Sequence, residues 1–143
     1  MSDVLIAEPR DAPPRQTFAG EADRRRLTPP ALKALVRLTA AWHVTKEQAA
    51  TLVGVSPSTW DRIRQGRWQQ TLSQDQFMRA SALIGIYKAL HLLFADNLAD
   101  QWPVLRNKGP LFGNLTPVES MIEGGIPQML EVRAHVDALR GGL

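Results

Sequence analysis

From Thr28 onward, apolar side chains return every three or four positions, and the pattern is broken only by capping and turn residues. Leu32, Leu35, Val36, Thr39 and Trp42 repeat at helical spacing behind Thr28-Pro29, which predicts a helix opened by a threonine cap with proline at its first position. A second set, Ala49, Val53, Val55, Trp60 and Ile63, is split by Gly54 and predicts two short helices. The run from Ala80 to Phe94 is apolar nearly all round and follows Ser73 and Gln76, which have capping-box spacing. Such a helix is either central to a core or shared with a second copy of the chain. Beyond Asp96 the pattern predicts a short helix over Asn97 to Trp102, a loop over Arg106 to Leu115, and a capping box at Thr116-Pro117-Val118-Glu119. The helix started there is expected to end at Gly124 and Gly125 in a left-handed cap. A last helix then runs from about Ile126 to Arg140 with Met129, Leu130, Arg133, Val136 and Leu139 along one side. No strand period and no internal repeat accompany these elements. The fold class is all-α, divided into an N-terminal arm (1–26), a helix-turn-helix domain with a long core or dimer helix (27–95) and a small helical C-terminal domain (96–143).

Residues 45–65, TKEQAATLVGVSPSTWDRIRQ, are the most constrained stretch. Thr45 and Gln48 form a capping box, Ala50 is small enough for two helices to approach, and Gly54 occupies a turn where a positive φ costs glycine little. Ser56 caps the second helix and Pro57 takes its first position, where no amide hydrogen is missed. With the apolar set turned inward, Ser56, Pro57, Ser58, Asp61, Arg62 and Gln65 face out. A helix-turn-helix requires this combination, and its outer face is what a DNA major groove meets. The candidate DNA-contacting residues are Ser56, Ser58, Thr59, Asp61, Arg62, Arg64, Gln65 and Arg67. Arg62 sits on the face expected to read bases, whereas Arg64 and Arg67 are expected to contact phosphate or water. Asp61 is suited to accepting from cytosine or to orienting Arg62. The bland alternative is a small helical hairpin that merely packs its apolar face.

Charge distribution favours the DNA reading. The chain has 143 residues and a net charge of +3, unevenly spread. Residues 1–27 carry five basic and five acidic side chains, and residues 28–72 carry six basic against two acidic, giving 6 − 2 = +4. Residues 73–95 give 2 − 1 = +1 and residues 96–143 give 4 − 6 = −2. The basic excess thus lies on the helix-turn-helix, where phosphate attraction needs it. Pro9, Pro13, Pro14 and mixed charges before Arg24-Arg25-Arg26 predict a mobile arm. The absence of cysteine excludes disulfides, thiolate metal sites and a cysteine nucleophile, and is compatible with a reducing cytoplasm. The first residues show no secretory signal, and the Ala80 to Phe94 stretch, interrupted by Lys88 and His91, is shorter than the roughly 20 residues of a membrane span. A cytoplasmic protein without membrane association is expected.

The string LFGNLTPVESMIEGGIPQMLEVRAHVDALRGG resembles the C-terminal domain of Xre-type antitoxins, the group that includes MbcA and ParS homologues. The resemblance covers roughly residues 28–143, and its most specific pieces are Thr116-Pro117 with Glu119, Met121 to Gly125, and Asp137 to Gly142. It implies an antitoxin paired with a RES-domain toxin that consumes NAD, neutralising it through the C-terminal domain and repressing the shared promoter. On that resemblance the toxin-binding residues are Glu119, Met121, Ile122, Arg133, Asp137, Arg140, Gly141, Gly142 and Leu143. A homodimer or a larger toxin–antitoxin assembly on operator DNA is expected, with no cofactor and no metal. Arg140 and the tail after it could enter the toxin's pocket, or Arg140 could simply favour the C-terminal end of its helix dipole.

Two other classes compete. An enzyme is disfavoured because His43, His91 and His135 lie far apart, no histidine–carboxylate motif has metal-ligand spacing, and Gly124-Gly125 lacks the context of a phosphate loop. A stand-alone dimeric repressor, whose C-terminal region only dimerises or senses a ligand, would have the same DNA chemistry. Deleting residues 126–143 is expected to separate it from an antitoxin. Trp42, Trp60 and Trp102 are expected as core or interface anchors and Trp68 near a DNA backbone or dimer seam, while Asn107, Lys108, Gly109, Phe112 and Asn114 form a candidate toxin-facing loop.

Overall fold

The computed structural model describes residues 16–141, and all regular structure among them is helical. Six helices follow in order: α1 Glu21–Ala41, α2 Lys46–Val53, α3 Pro57–Arg64, α4 Gln74–Leu93, α5 Asp96–Gln101 and α6 Pro117–Gly141, with a 3-10 turn at Trp102–Val104 after α5. Residues 1–15 of the expected arm, with Gly142 and Leu143, lie outside the described residues.

Four helix starts follow from local chemistry. Thr45 and Ser73 each accept a hydrogen bond from the backbone N–H three residues on, and Gln48 and Gln76 return the bond through their side chains, closing both capping boxes. Ser56 Oγ accepts from Thr59 N–H at 3.1 Å with Pro57 opening α3. Thr116 and Glu119 close a third box at the start of α6.

The start of α1 is a correction. The helix begins at Glu21, and Pro29 and Pro30 lie inside it. Thr28 is buried and does not cap: its hydroxyl donates to Arg24 O at 2.6 Å and accepts from Leu72 N–H at 3.2 Å. An interior proline costs a helix about 3 kcal/mol, which is why Thr28-Pro29 reads as a beginning. Tertiary packing offsets that cost here. Phe18 stacks on Phe77 with ring centroids 4.8 Å apart, Arg24 Nη1 donates to Leu72 O at 3.2 Å, and Leu27 and Ala31 join the cluster around Leu72 and Phe77. Residues 21–26 therefore belong to the scaffold and not to an arm.

Helix α4 is the centre of the molecule, packed against α1, α2, α5 and α6. Phe77, Ala80, Ala82, Leu83, Ile86, Ala89 and Leu90 of α4 are buried within one copy of the chain, whereas Leu92 near its end is 70% exposed. A single continuous core joins Leu35, Leu38 and Trp42 of α1 to Trp60 and Ile63 of α3, the inner face of α4, and Met121, Met129, Val132 and Val136 of α6.

Helix α6 bends where two adjacent glycines predict a break. Gly125 has φ 66° and ψ −151°, outside the left-handed helical basin, so the chain kinks and resumes without a left-handed cap. Gln128 ties the bend together, its amide donating to Leu111 O at 3.1 Å and to Ser120 Oγ at 3.3 Å. The inner face after the kink is Met129, Val132 and Val136, whereas Leu130 and Leu139, expected on it, are 44% and 42% exposed. The loop before α6 also folds inward. Phe112 is buried and meets Trp102 edge-on at 5.7 Å and His135 at 5.6 Å, so it anchors the loop to α6 and does not face out.

Candidate nucleic-acid interface

The turn between α2 and α3 is set by Gly54, at φ 84° and ψ 37°, whose N–H donates to Ala50 O at 2.8 Å. A left-handed residue here reverses the chain in the fewest positions, and glycine adopts it without the Cβ penalty. Ala49 and Ala50 are buried beneath the turn, and Trp60 and Ile63 pin the inner side of α3. Helix α4 holds the turn from behind. Gln76 donates to Gly54 O at 3.1 Å while its carbonyl oxygen accepts from Ser73 N–H, and the Arg79 side chain lies against Gly54. Sequence spacing showed Gln76 only as half of a cap, since its second partner lies 22 residues away.

The outward face of α3 presents Ser58, Arg62 and Gln65, all exposed. These positions are separated by four and three residues and so share one side of the helix. Ser56 remains exposed as the cap and hydrogen-bonds the Ser58 and Thr59 hydroxyls at 3.2 Å and 3.0 Å. Thr59 is half-buried and accepts from Arg62 Nη2 at 3.3 Å, which inclines the guanidinium back along the helix. Arg67 donates to Gln65 Oε1, so the last two members of the set form a pair at the end of α3.

Asp61 takes a different part from either one expected. It accepts from Arg64 on its own helix and from Lys46 Nζ of α2 at 3.2 Å, so it ties α2 to α3 and does not orient Arg62. The Arg64 guanidinium, and after it the Lys46 ammonium, hold the Asp61 carboxyl below the usual aspartate range. An anion fixed between two cations is poorly placed to meet a base.

The C-terminal candidates scatter. Glu119 is a capping residue: its carboxylate accepts from Thr116 N–H at 2.9 Å, and that backbone bond, followed by the Thr116 hydroxyl, lowers its pKa. Met121 is fully buried and belongs to the core, which corrects its expected place at a partner surface, and Ile122 is half-buried against the same core. Arg133 lies over α4 with Nη1 donating to Ser81 O at 3.0 Å, its guanidinium occupying space that a Cβ on Gly85 would enter at 2.5 Å. Asp137 approaches Arg133 Nε at 3.8 Å. Arg140 is exposed in the last turn of α6, and Gly141 ends the helix.

Packing also assembles a cluster that linear spacing concealed. His91 at the end of α4 hydrogen-bonds Asp96 at 3.1 Å and Asp100 at 2.7 Å, fastening α5 to the core. Trp68 is half-buried against the core and lines a groove beside α1. Among the described residues, no group of three or more His, Cys, Asp or Glu is placed to hold a metal ion, and no helix is long and apolar enough to cross a membrane.

Two capped helices, a left-handed glycine between them and a polar face turned outward on the second define a helix-turn-helix protein. A family model described as the antitoxin Xre-like helix-turn-helix domain matches residues 21–85, a span that begins at the observed start of α1 and ends within α4. The Sinorhizobium fredii protein named Uncharacterized protein y4oB is 30% identical over 115 residues, which cover 80% of this chain and 87% of that protein. The chain belongs to the Xre-like helix-turn-helix antitoxin family.

Proposed function

We propose that the protein is an antitoxin that binds operator DNA through α2 and α3, neutralises a RES-domain, NAD-consuming toxin through its C-terminal region, and represses the operon the two share. The observation that carries the DNA half is the division of labour on α3: Trp60 and Ile63 are buried, and Ser58, Arg62 and Gln65 are exposed on the opposite side. That face would sit in the major groove with Arg62 as its longest donor to base edges, most naturally guanine, and with Arg64 and Arg67 at the backbone. The toxin half is supported by family membership together with the exposure of Arg140 at the end of α6. Two copies of the chain on a symmetric site complete the reading, and light scattering of the purified protein is expected to return a dimer.

The test is co-purification of the tagged chain with the RES-domain toxin encoded beside it, before and after truncation. Residues 126–143 cannot be removed cleanly, because Met129, Val132 and Val136 belong to the core. The informative variant ends after Asp137. It leaves the buried residues in place and is expected to lose the toxin while retaining duplex binding; Arg140→Ala isolates the guanidinium. A truncated chain that still holds the toxin would remove the tail from the reading. A full-length chain that binds DNA and no toxin would leave a repressor alone.

A further inference from the structure

We infer that Lys33 and Arg37 of α1 are phosphate contacts that carry the DNA footprint past the end of α3. The inference rests on the DNA-binding reading above and assigns a role to a helix so far described only as scaffold. A groove of about 650 Å³ runs between α1 and the connector that follows α3. Lys33 and Arg37 line it from α1, Arg64, itself paired with Asp61, lines it from the last turn of α3, and Gln69 and Gln70 line it from the connector. Arg25 stands at the same groove but is paired with Glu21 at 3.2 Å. No acidic residue is among those lining it. The adjoining cavity between α1 and α4 repeats the pattern, with Lys33, Arg37 and Lys88 and again no acid.

Lys33 and Arg37 are exposed, and neither makes an ion pair among the described residues. They stand one helical turn apart, where like charges repel, so nothing inside the molecule favours the pair. Geometry says what outside it would. Helix α3 has 8 residues, about 12 Å at 1.5 Å per residue, close to the roughly 12 Å width of the major groove. A recognition helix seated in the groove leaves the elements that flank it facing the bounding backbone. Arg64 occupies the C-terminal end of α3, and Lys33 and Arg37 share its groove, with the Gln69 and Gln70 amides as neutral donors alongside.

The experiment is fluorescence anisotropy of a fluorescein-labelled DNA duplex of arbitrary sequence, titrated with the full chain across a potassium chloride series. Each lost phosphate contact flattens the plot of log affinity against log salt by about 0.9. Lys33→Gln is therefore expected to flatten it by about 0.9 and the Lys33→Gln/Arg37→Gln pair by roughly 1.8. Lys108→Gln, which removes an exposed cation from the loop before α6, is expected to leave the slope unchanged. Circular dichroism melts of all three are expected to match the parent. An unaltered slope in the double variant overturns the inference, and so does an equal effect from Lys108→Gln. Loss of a bound protein with the slope preserved would assign the groove to an acidic segment of a partner and also overturn it. A parent chain that binds no duplex at low salt overturns the DNA reading itself, which separates the two failures.

Discussion

Gly54 and Glu119 show how much a single position carries when its role is backbone geometry. At φ 84° a side chain on residue 54 would be strained, and its Cβ would stand 3.1 Å from Arg79 Cδ. Gly54→Ala is expected to destabilise the fold by about 1–2 kcal/mol, read from urea denaturation, with a matching loss of DNA affinity as α3 loses its angle. Glu119 makes a pH prediction. Its folded pKa is depressed, so its capping contribution is fully present above the ordinary glutamate range and is lost as pH falls through the lowered value. Glu119→Gln keeps an acceptor for the Thr116 amide and removes the titration. Melting temperature against pH is expected to fall less steeply on the acid side in Glu119→Gln than in the parent, with the two close together at neutral pH. Both positions were legible because Gly between two apolar sets and Thr-Pro-x-Glu are local signals. The tie from Asp61 to Lys46 is not legible in the sequence, because the two lie 15 residues apart on different helices.

At the scale of elements, the chain advertises most of its boundaries and hides its long-range ties. Helices α2, α3 and α4 begin where Thr45, Ser56 and Ser73 stand, because capping is settled within four residues. The start of α1 was not legible for the opposite reason: a cluster including Phe18, Leu72 and Phe77, spread along the chain, overrides the local objection of Pro29 and Pro30. The inner face of α6 was misread at Leu130 and Leu139 because the kink at Gly125 fixes the rotation of everything after it, and periodicity alone gives the spacing of a stripe but not its absolute direction. The pairing of α4 with α6 is polar as well as apolar. Arg133 reaches Ser81 across 52 residues, so Arg133→Ala is expected to cost about 1–2 kcal/mol in chemical denaturation even though the residue is partly exposed. A larger loss of toxin binding than of stability would show that the same side chain also meets the partner.

On the scale of the whole molecule, the DNA-facing hairpin and the C-terminal helix are built on one interior. Helix α4 touches α1 and α2 as well as α6, and the family match stops inside it, at residue 85. The sequence suggested a seam at residues 95 and 96, where composition turns acidic. Composition records the solvent-facing surface, and that surface does change there, while Ala89 and Leu90 before the seam and Ala99, Met121 and Val132 after it belong to a single hydrophobic cluster. Heredity feels this arrangement. Two relatives that exchanged their C-terminal halves at that seam would each inherit an interior whose two sides were shaped for other partners, so recombination there is expected to yield unstable chimaeras. Variation in this lineage is therefore expected to gather one substitution at a time at exposed positions, such as Arg62 and Arg140, which leave that interior unchanged.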